Sequence, residues 1–100
     1  MTTIPGLSAA ELALVRDILR SRLPQGARAW VFGSRATTRP KPFSDLDLAI
    51  DAGRRLTLDE AAALTEAFSD SDLSWKTDIV DWQAAAEWFR AEIAPGMLPL

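Results

Sequence analysis

The sequence predicts an α/β fold in which helices pack on a small mixed sheet, and three observations predict it. At Ser8–Glu11 and again at Thr57–Glu60, a hydroxyl residue is followed three positions later by Glu and then by apolar residues at helical spacing. Between these stretches lie two short β-type segments, Arg28 to Phe32 and Asp45 to Asp51. A third, Trp75 to Trp82, follows the second helical pattern. The resulting order of helix, strand, turn, strand, helix, strand, helix layers helices against one sheet.

Each element has its own signal. In the first capping box, Leu12, Val15, Ile18 or Leu19 and Leu23 recur on one stripe, so a helix is expected from about Ala9 to Arg22, ended by Pro24-Gln25-Gly26. Arg28 to Phe32 forms the first strand and runs into a Gly33-Ser34 turn. A short helical turn over Ala36 to Arg39 is broken by Pro40 and Pro42. Asp45 to Asp51 is the second strand, followed by a loop at Ala52-Gly53-Arg54-Arg55. Thr57 opens the second helix, with Ala61, Leu64, Ala67 and Phe68 on its stripe. That helix closes near Ser69-Asp70-Ser71-Asp72, whose acids read as a solvated turn.

Trp75 to Trp82 carries Asp78 and Asp81. Asp81 also reads as the cap of a last helix from Gln83 to about Ala94, stopped by Pro95-Gly96. Trp30, Trp75, Trp82 and Trp88 read as core and sheet-packing residues. Trp82, Trp88, Phe89 and the tail Met97-Leu98-Pro99-Leu100 nevertheless crowd one end of the sequence, and an exposed patch there would mark a partner surface.

Bulk properties narrow the function. One hundred residues, 48% hydrophobic and 25% charged, suggest a single domain over residues 1–100. The net charge of −3 lacks the broad basic surface that gives proteins most of their affinity for long nucleic acid. With no cysteine there is neither disulfide nor thiolate metal site, and with no histidine any proton transfer falls to a carboxylate. No signal-peptide pattern or membrane-length apolar run is present, so a soluble, cytoplasmic protein is expected.

The chemistry concentrates between Val31 and Asp51. Ten residues separate Ser34 from Asp45, and Asp45 and Asp47 then share one strand face while Leu46, Leu48 and Ile50 take the other. Two carboxylates about 7 Å apart repel by about 2 kcal/mol at an effective dielectric near 20. A divalent cation reverses that sign, and Mg2+ is commonly held by one or two carboxylates plus substrate phosphates. The Gly33-Ser34 turn supplies the phosphate half, since glycine admits backbone N–H groups close to an anion and a short hydroxyl can donate to it. Arg35, Arg39 and Lys41 stand in the intervening loop as further cations. Together these residues read as a metal–nucleotide site.

The wording V-F-G-S-R-A, followed at this spacing by S-D-L-D-L-A-I, resembles the signature of the minimal nucleotidyltransferases of the DNA polymerase β nucleotidyltransferase superfamily. Lys76-Thr77-Asp78-Ile79-Val80-Asp81 resembles that family's third acidic element. Alternation alone does not choose between Asp78 and Asp81, which point to opposite strand faces. The family's wording puts the third carboxylate at Asp78.

The resemblance implies a polymerase β-like nucleotidyltransferase core and in-line transfer of a nucleotidyl group, with AMP from ATP as the expected case. Asp45, Asp47 and Asp78 would be catalytic and would hold Mg2+, two ions being expected and Mn2+ the alternative. Gly33 and Ser34, with Arg35 in a lesser part, would bind the nucleotide phosphates. The resemblance also implies a HEPN-domain partner, since some minimal nucleotidyltransferases are antitoxins that attach AMP to a tyrosine of such a toxin. This chain has no tyrosine of its own, so a tyrosine acceptor must come in trans from a different protein. As for assembly, either a homo- or a hetero-oligomer fits the resemblance. Two other readings stand beside this one: transfer to a small molecule such as an aminoglycoside, and a catalytically inactive module that binds its partner by contact.

Overall fold

A computed structural model describes residues 4–37, 45–73 and 75–100. Its first helix, α1 (Ala9–Arg22), has the expected bounds. Ser8 Oγ accepts from the Glu11 N–H and Glu11 Oε1 accepts from the Ser8 N–H, so the capping box is closed in both directions. Leu12, Val15, Ile18 and Leu19 form its buried stripe. The chain then enters β1 (Arg28–Phe32), passes through a 3-10 turn at Gly33–Ala36 and returns as β2 (Leu46–Asp51).

α2 (Leu58–Ser69) is opened by a second closed capping box between Thr57 and Glu60 and buries Leu64 and Phe68. It carries the chain across to β3 (Thr77–Asp81). A short α3 (Glu87–Ile93) and a two-residue β4 (Leu98–Pro99) follow.

The sheet order is β3-β2-β1-β4, with β2 and β3 parallel and the other pairs antiparallel. β1 and β2 run antiparallel across the 33–45 connection, whereas the parallel β2–β3 pairing depends on the α2 crossover. Leu46, Leu48 and Ile50 are fully buried on one face with Val15, Val31, Leu64 and Phe68, and α1 and α2 cover that face. The opposite face carries the acids of β2. Part of it is covered by an aromatic layer in which Trp30 lies 6.1 Å from Trp82 and Phe32 lies 6.2 Å from Phe89, centroid to centroid.

Four local expectations need correction. The helical turn after β1 covers Gly33–Ala36 rather than Ala36 to Arg39, and Arg39, Pro40, Lys41 and Pro42 lie outside the described residues. β3 starts at Thr77, because Trp75 packs against the core before the ladder begins.

Asp81 does not cap a helix. Its Oδ1 accepts from the Gln83 N–H at 3.2 Å and its Oδ2 from the Leu56 N–H at 2.8 Å, so the chain turns through Trp82–Ala85 and α3 begins only at Glu87. The apolar tail is tied into the sheet as β4, with Pro99 opposite Trp30, Leu98 opposite Val31, and the Leu100 N–H donating to the Ala29 carbonyl at 3.0 Å. An edge strand tolerates Pro99 because its missing donor faces away from the ladder.

Candidate active site

The acids gather at one end of the sheet because three chain segments reach it together. β1 ends there at Phe32, which pairs with Asp47, and β3 begins there, with Asp78 paired to Asp47 in parallel register. Parallel neighbours place equivalent residues on the same face, about 4.8 Å apart between strands. Asp47 and Asp78 therefore stand side by side, and Asp45, two residues earlier, shares their face. Asp81 pairs with Ile50 and points to the core side, where backbone N–H groups occupy its carboxylate. Register thus selects Asp78, which alternation alone leaves open.

The electrostatics match this grouping. Asp47 is half-buried, and its carboxyl is pushed above the usual range first by burial, then by the neighbouring Asp78 and Asp45. Lys76 offsets part of the repulsion from one side, with its Nζ 3.5 Å from Asp78 Oδ1 across an exposed pair. Among the described residues no three acidic side chains already close into a metal cage. The donor set, two adjacent carboxylates with a third beside them and an open side, fits a cation completed by substrate phosphate.

Gly33 is built against this group. Its φ of +75° is one that side-chain-bearing residues rarely adopt, and a Cβ there would meet Asp47 Oδ2 at 2.5 Å. The turn backbone is thereby brought directly over the carboxylate. Behind it, Thr37 closes the 3-10 turn through its N–H and its hydroxyl, both donating to the Ser34 carbonyl at 3.2 and 2.7 Å. The leading N–H groups of such a turn have no acceptor within the turn itself, a suitable arrangement for an anion.

Arg35 is placed differently from Gly33 and Ser34. It is 8% exposed, its Nη1 donates to the Gly6 carbonyl at 2.9 Å, and its guanidinium lies 4.3 Å from the Trp75 ring centroid. Neither Gly6 nor Trp75 carried a functional signal in the sequence, where Trp75 read as a packing residue. Phe32 was equally silent, although it stands opposite Asp47 and against Phe89.

Among the described residues, Trp88 is the one large aromatic that is strongly exposed, at 70%. Among the described residues a groove lies at the far end of β1, lined by Leu19, Leu23, Trp30, Pro99 and Leu100 among others, and includes none of the acids. Carboxylate chemistry, not concavity, marks this site. No helix among the described residues is long and apolar enough to cross a membrane.

Comparison with known proteins identifies the family and the fold. Residues 15–97 match the family described as Polymerase beta, Nucleotidyltransferase. A probable protein adenylyltransferase MntA of Haemophilus influenzae is 43% identical over 84 residues, spanning 84% of this chain and 73% of that protein. The crystal structure of the toxin–antitoxin MntA-HpeT in a mutant form shares the fold, with a TM-score of 0.73 at 19% identity over 93% of this chain and 71% of that one. A match running from within α1 to the residue before β4, together with a relative at this identity, means that the chain belongs to the polymerase β nucleotidyltransferase family, among its minimal MntA-like members, and is a nucleotidyltransferase.

Proposed function

We propose that this enzyme transfers AMP from Mg2+–ATP to a hydroxyl of a HEPN-type toxin partner and so acts as the partner's antitoxin. The observation that carries the reading is the Asp47–Asp78 register beneath Gly33, which sets two carboxylates against the Gly33-Ser34 turn. The name of the 43% identical relative supports a protein acceptor, and the absence of tyrosine here sends a tyrosine acceptor to another chain.

In this reading Asp45, Asp47 and Asp78 hold Mg2+, two ions being the expected number and Mn2+ the alternative. When bound, the metal would supply charge neutralisation for the triphosphate and would acidify the attacking hydroxyl. Gly33 and Ser34 orient the β- and γ-phosphates through the turn. The hydroxyl oxygen forms a bond to the α-phosphorus as the bond from that phosphorus to the bridging oxygen breaks, and pyrophosphate leaves. The hydroxyl proton passes to Asp78. A carboxylate is a weak base, so positioning and charge neutralisation carry most of the catalysis.

The test is incubation with α-labelled ATP and Mg2+, with and without the product of the adjacent gene, read by gel and intact mass. Label and whole AMP units on the partner, both lost in Asp45→Asn, are expected. A stable complex without label in the wild type would refute the proposed transfer.

A further inference from the structure

The residue that follows Gly33-Ser34 has a second set of contacts that the chemistry above does not use. Arg35 and Gly6 bind each other twice: Arg35 Nη1 donates to the Gly6 carbonyl at 2.9 Å, and the Gly6 N–H donates to the Arg35 carbonyl at 2.9 Å. Their backbones are so close that a Cβ on Gly6 would lie 2.6 Å from the Arg35 carbonyl oxygen and 2.7 Å from its Cα. Ile4 and Leu7, flanking this contact, are both buried in the core.

On its other side the Arg35 guanidinium lies over Trp75, in the segment that enters β3. The carbonyl of the next residue, Lys76, accepts from the Leu46 N–H at 2.9 Å, and Asp78 is three positions beyond Trp75. One side chain therefore fastens the turn after β1 to the start of β3, across the entry to β2.

We infer that Arg35 is a positioning residue for nucleotidyl transfer, holding the Gly33-Ser34 turn in place relative to Asp78 through Gly6 and Trp75 rather than binding the phosphates. The inference rests on the proposed roles of Gly33, Ser34 and Asp78. A guanidinium suits this task because its planar donors and its stacking face act together, whereas an ammonium offers charge without either geometry.

The test compares Arg35→Lys, Arg35→Gln, Trp75→Leu and Trp75→Phe in the full chain. AMP transfer is measured well below each melting midpoint, and the backbone amide shifts of Ser34 and Asp78 are recorded without nucleotide. Misplacement by about 1 Å can cost about 100-fold, so Arg35→Lys and Trp75→Leu should each lower kcat about 10- to 100-fold, with KM for ATP within about threefold of wild type. Combining Arg35→Lys with Trp75→Leu should be no worse than the poorer single change, Trp75→Phe should recover most of the rate, and both lesions should shift the Ser34 and Asp78 amides.

Retention of activity in Arg35→Lys, with KM raised only in Arg35→Gln and no effect of Trp75→Leu, would overturn the inference in favour of a direct phosphate contact. If the wild type transfers nothing, the proposed function fails and the amide shifts alone decide: movement at Ser34 and Asp78 in Trp75→Leu supports the link, and its absence refutes it. Should Trp75→Leu not fold, Arg35→Lys alone decides: a loss in kcat with shifted Ser34 and Asp78 amides supports the link, and wild-type kcat with unmoved amides refutes it.

Discussion

Gly33 rests on the carboxylate of Asp47, with a Cβ at Gly33 falling 2.5 Å from Asp47 Oδ2 and the backbone φ at +75°. The glycine is therefore held by two independent constraints, one steric and one conformational. Gly33→Ala should add about 1 kcal/mol of backbone strain and displace either the turn or the carboxylate. Transfer should fall at least about 100-fold while the circular dichroism spectrum stays native. Wild-type rates in this variant would show that the turn does not approach the reacting phosphates.

The grouping of Asp47 with Asp78 and Asp45 should cost stability when no cation is bound. Because the Asp47 pKa is raised in the folded state, its contribution is most favourable below the ordinary carboxylate value of 3.8 and is lost as pH rises through the folded value. At neutral pH, Asp47→Asn or Asp78→Asn should accordingly stabilise the metal-free protein by about 0.5–1 kcal/mol, a few degrees in Tm, while abolishing transfer. Mg2+ should raise the wild-type Tm and leave the Asn variants nearly unmoved. Thermal melts with and without Mg2+ at pH 7 check both signs.

Asp51 behaves in the opposite sense. It is 7% exposed and accepts from Gln83 Nε2 at 2.9 Å, the Gly53 N–H at 2.8 Å and Arg28 Nη2 at 3.3 Å. The Gln83 and Gly53 bonds, then Arg28, hold its carboxyl below the usual range despite burial. The stability it contributes is present above pH 3.8 and is lost as pH falls through the lower folded value. Asp51→Ala should cost about 1–3 kcal/mol at pH 7, with the deficit shrinking in acid, as denaturant titrations at pH 7 and pH 3 would measure.

Thr77 offers a gain. Among the described residues its Oγ1 is buried without a hydrogen-bond partner, on the face paired with fully buried Leu46. Thr77→Val keeps the branched shape and removes the orphaned hydroxyl, so it should stabilise the fold by about 1 kcal/mol without altering transfer. A lower melting midpoint would show that the hydroxyl is satisfied in solution.

Where local chemistry decides an element, the sequence predicted it closely. Two capping boxes placed the starts of α1 and α2, and Arg28 to Phe32 emerged as β1 with its observed bounds. The Asp45-Asp47 alternation and the Gly-Ser turn were equally readable, because period two and positive φ are local properties. What escaped depends on partners distant in sequence. β4 has two residues and no period, and exists because β1 offers it an edge. Alternation left Asp78 and Asp81 open and the family's wording chose Asp78; the β2–β3 register, invisible to alternation, is what pairs Asp78 with Asp47. Arg35 looked like one more phosphate-side cation because its partners, Gly6 and Trp75, lie 29 and 40 residues away.

Asp47 and Asp78 meet only through a parallel pairing, which forms after α2 has carried the chain across the sheet. Contacts between segments so far apart are among the slower ones to form and can open without global unfolding. A chain with α2 frayed would keep every motif residue and most of its helix content, yet have no paired carboxylates. Catalytic competence is thus a sharper gauge of the native state than spectroscopic helicity. A lesion at Thr57 or Leu64, remote from any phosphate, would present as an enzyme defect whose severity tracks the population of the closed crossover.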